Sequence, residues 1–128
     1  MYFYVFATRI GLVGKITASG IKITEDLVFA ALPSRSALFR IVEVRWQRNV
    51  IICPVLDVGP WSADDEYWKK SGIPAAQLGY RNPKLMEKYG PPKNPAGIDL
   101  SNAAMRRLQI RGNAWVCWRF LSTVKAMQ

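Results

Sequence analysis

The sequence has no histidine, only two cysteines, and half as many acidic as basic residues, nine Asp and Glu against eighteen Lys and Arg. Without His, and with Cys53 and Cys117 outside any CxxC spacing, no metal site and no cofactor are expected. The two cysteines read either as free thiols buried in strand-like apolar runs, the favoured reading, or as a disulfide. Apolar runs are short, the longest being the strand-length Val50 to Leu56, and none nears the roughly 20 residues of a membrane-spanning helix. The apolar start, Met1 to Ala7, lacks a preceding basic segment, and Arg9 interrupts it before an export-signal core of about 7 to 15 residues forms. A first strand is therefore expected there, with no Sec signal. The shortage of acid leaves a formal charge of +9, which favours polyanionic partners such as nucleic acid, anionic lipid or a phosphate-bearing wall. A solvated basic surface is the favoured explanation, because the basic residues are spread from Arg9 to Lys125 without a block. Nucleic acid is not an expected partner, since no recognition motif accompanies the charge.

A half-apolar chain of 128 residues suffices for one core, so one domain over 1–128 is expected, mainly β with one or more short helices. Val42, Val44 and Trp46 alternate with Glu43 and Arg45, Gln47 to Asn49 breaks the run, and Val50 to Leu56 follows, which predicts a hairpin. Pro54 cannot donate to a ladder, which places its strand at an edge, at a bulge or where pairing ends. From Asp57 to Ile98 the pattern changes to an ordered insertion that holds most of the prolines and five aromatics (Trp61, Tyr67, Trp68, Tyr80 and Tyr89). Asn82, Pro83 and Gly90 bracket a short helix. Ser62 to Lys70 is a second helical candidate, with Asp65–Lys69 and Glu66–Lys70 at i,i+4 spacing. Ser101 should cap a helix over Asn102 to Leu108, and a last strand should run from Asn113 to Leu121.

Two carboxylates each follow an apolar strand and open a turn, where a rigid scaffold holds a reactive group at its rim. Asp57 precedes Val58-Gly59-Pro60-Trp61, and Asp99 precedes a helix start. Each also has a purely structural reading, Asp57 bonding its own turn and Asp99 stabilising the helix end. Trp61, Tyr67, Trp68 and Tyr80 are candidates to stack on sugar rings or, alternatively, to form the insertion's own small core. Arg35, Lys69 and Lys70 are candidates for wall phosphates or peptide carboxylates.

Thr17-Ala-Ser-Gly20, Ala31-Leu-Pro-Ser-Arg35, Asp57-Val-Gly-Pro-Trp61 and Gly97-Ile-Asp-Leu-Ser101, in that order, resemble the double-psi β-barrel family over roughly Phe3 to Leu121. The resemblance is greatest to the rare lipoprotein A-like branch, similar in fold to MltA-type lytic transglycosylases, expansins and family 45 endoglucanases. It implies a six-stranded barrel with a groove across one face, Asp57 at the catalytic position and Asp99 as the second acid. The implied activity is on peptidoglycan, as a lytic transglycosylase or glycosidase with Asp57 as general acid/base and Asp99 as its electrostatic partner. One departure stands out: active members carry a His in the segment where this chain reads Phe29-Ala-Ala-Leu-Pro33. The alternative is therefore a non-catalytic glycan-binding or structural module, as expansins show for the same barrel. A wall-facing domain without a Sec signal implies carriage by a phage particle, release by lysis or passage through a secretion machine, with proteins of that virion or machine as further partners.

Overall fold

Six strands close into a barrel in the computed structural model, which describes residues 1–121. They are β1 (Phe3–Ile10), β2 (Ala30–Leu32), β3 (Ile41–Trp46), β4 (Asn49–Val58), β5 (Ile98–Ser101) and β6 (Ala114–Phe120), in the spatial order β1-β5-β2-β4-β3-β6 with β6 returning to β1. The β1–β5 and β2–β4 pairs are parallel, and the other four are antiparallel. Three short helices lie between strands: α1 (Ala75–Leu78), α2 (Pro83–Tyr89) and α3 (Asn102–Leu108). No helix among the described residues is long and apolar enough to cross a membrane.

Period-2 alternation fills the barrel. Val5 and Ala7 of β1, Val42 and Val44 of β3, and Val116 and Trp118 of β6 point inward, joined by Cys53 and Val55 of β4 and Ile98 and Leu100 of β5. Trp118 has no exposed surface, and its indole N–H donates at 3.0 Å to the hydroxyl of Tyr67, which donates at 2.6 Å to the Gly97 carbonyl. This chain satisfies the polar atoms of two large buried aromatics. A smaller cluster of Ile10, Ile23, Phe29, Ala31 and Leu56 lies apart from the main core and draws in the connection between β1 and β2.

The helix signals translate directly. Asn82 caps α2 by accepting from the Leu85 N–H, and Gly90 ends it at φ 74°. Ser101 caps α3 through the Ala104 N–H and also accepts from the Phe29 N–H, so one buried hydroxyl fixes both the helix and the approach to β2. The apolar face of α3, Ala104, Met105 and Leu108, joins the barrel core.

Three expectations need correction or resolution. Ser62 to Lys70 forms only one 3₁₀ turn, Tyr67–Lys69, because Asp65 turns inward to accept from the Ala75 N–H at 2.7 Å and Glu66 pairs with Lys69 at i,i+3. Helix α1, which Asp65 thereby anchors, carried no signal of its own. Cys53 is buried, but Cys117 faces outward and is half-buried; both thiols are free. Pro54 sits where β4 changes partners, opposite Ile41 of β3 and one residue before Val55 begins pairing with β2, so its missing N–H interrupts neither ladder.

On the outer wall of β3, Glu43 is buried between Arg45 at 2.9 Å and Arg119 at 3.3 Å, and it also accepts from the Tyr2 hydroxyl. The Arg45 bond above all, with those of Tyr2 and Arg119, holds its carboxyl down at about 2 against an ordinary 4.5. A carboxylate depressed in this way stabilises the fold above its unfolded value, and that contribution fades as pH falls through the folded one. Replacing Glu43 by Gln should lower the melting temperature at neutral pH by roughly 5 °C. The gap to wild type should close between pH 4.5 and about 2, and melting curves recorded across that window check it.

Candidate functional site

Pairing register brings the two acids together. Ala31 of β2 is flanked on one side by Asp99 of β5 and on the other by Asp57 of β4, and Thr8 of β1 lies beyond Asp99. Residues directly opposite one another point their side chains to the same face, so Thr8, Asp99, Ala31 and Asp57 form a transverse row across the outside of four strands. A register shift between Ala30 and Ala31 places Asp57, rather than Leu56, in that row. Both carboxylates are half-buried, whereas Ala31 is 1% exposed and packs into the smaller cluster with Ile10, Ile23, Phe29 and Leu56.

Among the described residues, each acid has one oxygen that accepts no hydrogen bond. Asp57 Oδ1 accepts from the N–H groups of Ala18 and Val58, both at 2.9 Å, so the turn-bonding role holds for that oxygen and the Thr17–Gly20 loop is pinned beside it. That loop is further fixed by Thr17 Oγ1 to Ser19 Oγ at 2.7 Å and by the Ser19 N–H to the Leu56 carbonyl at 3.1 Å. Asp99 Oδ1 accepts from the Thr8 hydroxyl. Its other oxygen faces the backbone of Gly59, where a Cβ would lie 3.4 Å from Oδ2. Burial, seconded by the negative charge of Asp57, pushes the Asp99 carboxyl up to about 6, although the Thr8 hydrogen bond pulls the other way. The side-chain cap of the α3 terminus is Ser101.

After Asp57 the chain crosses Gly59 and a cis Pro60 into Trp61, whose φ of 64° turns the ring toward α2. The Trp61 indole donates to the Gly90 carbonyl at 2.9 Å and packs against Tyr89 at 6.1 Å between centroids. Pro60, Trp61, Tyr89, Pro91, Lys93 and Asn94 line a surface hollow of about 250 Å³. It begins two residues beyond the strand that carries Asp57.

The remaining sequence candidates go elsewhere. Tyr67 is 1% exposed and belongs to the barrel core, and Trp68 packs edge-on against Tyr67, Trp118 and Phe120. Neither offers a ring face to a saccharide beside the acids. Tyr80, 79% exposed, stands on the turn between α1 and α2. Arg35 is exposed on the 3₁₀ turn after β2, whose Ser36 is tied to Glu66. Sequence reasoning missed Thr8 and Gly59. Thr8 was legible only as an outward position of β1, and its relation to Asp99 appears once the parallel register is known.

A family model described as "Domain of unknown function (DUF8814)" matches residues 1–118. No curated protein matches the chain. Among solved structures, the Streptomyces papain inhibitor aligns with a TM-score of 0.60 at 19% identity, covering 95% of this chain and 96% of its own. An expansin of Clavibacter michiganensis, in a mutant form complexed with cellohexaose, aligns with a TM-score of 0.57 at 13% identity over 97% of this chain. The same expansin without ligand gives 0.57 at 16% identity. This chain spans about half, 52%, of those expansin chains. These neighbours have double-psi β-barrel-like folds, in keeping with the closed six-stranded barrel of this chain.

Proposed function

From the premise that this chain belongs to the DUF8814 family over residues 1–118, we propose that it is a glycan-directed domain that lays a polysaccharide strand across the Thr8–Asp99–Ala31–Asp57 row. What carries the reading is the pair of half-buried carboxylates flanking one alanine, each with an oxygen that no described protein group hydrogen-bonds. The Trp61–Tyr89 hollow extends the site with aromatic surface for a neighbouring sugar. Support for a glycan also comes from the expansin that was solved with cellohexaose on this fold. The charge of +9 favours a strand bearing acidic groups, such as peptidoglycan with its peptide carboxylates, over a neutral glucan. The motif resemblance to the rare lipoprotein A-like branch points the same way.

The chemistry proposed is acid-catalysed cleavage, with the roles of the two acids exchanged relative to the family resemblance. Asp99, held near a pKa of 6, is the group able to keep a proton for the glycosidic oxygen at working pH. As that bond breaks, the C6 hydroxyl of the muramyl residue attacks the anomeric carbon, and its proton passes to a carboxylate of the row. Asp57 offers negative charge to the sugar cation between those events.

A second, non-hydrolytic reading rests on the middle of the row. Ala31 contributes only a methyl, and Phe29, in the segment where active relatives carry a His, is fully buried. The Streptomyces papain inhibitor shows by its name that a barrel of this size also serves as a binding protein.

Purified sacculi decide between the readings. Wild type should release 1,6-anhydro muropeptides detectable by mass spectrometry, and Asp99→Asn should cut the yield by about a hundredfold or more. Sacculus binding without products, weakened by Asp57→Asn, would select the non-hydrolytic module. Binding indifferent to both substitutions would remove the row from the site.

A further inference from the structure

The barrel has a second outer face, on the arc of strands away from the carboxylate row. Tyr4 and Phe6 of β1 lie opposite Cys117 and Trp115 of β6, Arg45 and Glu43 of β3 lie opposite Cys117 and Arg119, and Val50 and Ile52 of β4 lie opposite Arg45 and Glu43. The outward residues of four strands are thus contiguous. Tyr4 is 63% exposed, Ile52 61%, Val50 43%, Ile41 38% and Trp115 37%. Apolar exposure of this extent on one sheet face marks an interaction surface.

Charge narrows the choice of partner. Arg45 and Arg119 stand on this face with their guanidinium groups over the Tyr2 ring, and Arg48 sits in the β3–β4 turn. The only acid among them is Glu43, which is 5% exposed and already shared by two arginines. Every other acidic residue of the chain lies in the β1–β2 connection, the carboxylate row or the segment between β4 and β5. A second copy of a chain carrying +9 is disfavoured as the occupant by repulsion. A saccharide is disfavoured because Tyr4 and Trp115 turn their ring faces on each other, 5.5 Å between centroids and 24° apart, and so present no flat platform. Exposed Tyr and Trp rings, exposed Ile and Val, and arginines on the same face match the headgroup layer of an anionic bilayer.

We propose that this face docks the domain on an anionic lipid surface, leaving the carboxylate row on another side of the barrel free for its own ligand. The test uses the whole chain with vesicles of phosphatidylcholine alone or mixed with phosphatidylglycerol. Partition measured by flotation should be at least about tenfold stronger on the phosphatidylglycerol vesicles and should fall as salt rises. Phosphatidylglycerol vesicles with brominated acyl chains should quench part of the wild-type tryptophan fluorescence, a reading that needs no variant. Tyr4→Ser with Trp115→Ser should lower the partition about tenfold while leaving the chain folded at the assay temperature and its sacculus binding unchanged. Equal partition on both lipids, or none, would overturn the proposal. So would binding that soluble polyglutamate abolishes, that shows no bromine quenching and that ignores the double substitution, since the face would then recognise a polyanion rather than a bilayer.

Discussion

Gly97→Ala is expected to unfold this protein at a melting temperature roughly 10 °C below wild type, corresponding to a loss of about 3 kcal/mol. The added methyl would lie 2.4 Å from Pro74 Cγ, 3.0 Å from Val5 Cβ and 3.1 Å from the Tyr67 hydroxyl. Those atoms belong to the start of α1, to β1 and to the 3₁₀ turn, so no single flexible side chain can absorb the collision. Gly97 is also held through its own backbone, its N–H donating to the Phe6 carbonyl at 2.9 Å and its carbonyl accepting from Tyr67. A shift would therefore disturb the Trp118–Tyr67–Gly97 chain and loosen the insertion from the barrel, two residues before Asp99. Gly112→Ala, with nothing within 4 Å of the added atom, is the matched control and should melt as wild type does. Removing the closest obstacle by Pro74→Ala in the Gly97→Ala background should recover part of the loss, a coupling of at least about 0.5 kcal/mol. An unchanged urea midpoint for Gly97→Ala would show that the three elements are not locked at this point.

The contrast between Gly97 and Gly112 indicates where the sequence is readable. Local signals carried well: alternation located β3 and β6, an apolar run located β4, and Asn82, Gly90 and Ser101 closed helix ends through hydrogen bonds to residues three or four positions away. The row was legible in its members but not in its order. Asp57 and Asp99 could be picked out as acids at strand ends, yet Thr8 enters through parallel pairing across 91 residues, and Gly59 through a contact with Asp99 that no pattern encodes. The aromatics of the insertion divided for the same reason. Tyr67 and Trp61 look alike in sequence, but the pocket left beside Trp118 admits one ring into the core, while a left-handed backbone turns the other toward α2. Composition gave a net charge, not its distribution; the nearly acid-free wall of β6, β3 and the β3–β4 turn becomes visible only once the strands are placed around the barrel.

Asp99→Asn should separate stability from chemistry. A carboxyl raised from 3.8 to about 6 binds its proton more tightly in the folded chain than in the unfolded one. Its contribution to stability is then complete below pH 3.8 and is lost as pH rises through about 6. The displacement corresponds to at most about 3 kcal/mol, since each unit of pKa is worth about 1.4 kcal/mol. Asparagine keeps a similar shape and can still accept from Thr8, but it has no proton to lose. Relative to wild type, the variant should therefore gain stability between pH 4 and pH 6.5, by roughly 10 °C in melting temperature at the upper limit, while losing the proposed cleavage, which depends on that proton. Below that window Glu43 governs the pH response of both proteins equally, because its carboxyl titrates at about 2 when folded. Thr8→Val, which removes the hydrogen bond holding the Asp99 carboxylate down, should move the wild-type inflection to higher pH. Parallel melting curves for wild type and Asp99→Asn from pH 4 to 6.5 would mean that Asp99 keeps its ordinary acidity. The row could then still bind a glycan through its carboxylates, but it would have no acid stored for cutting one.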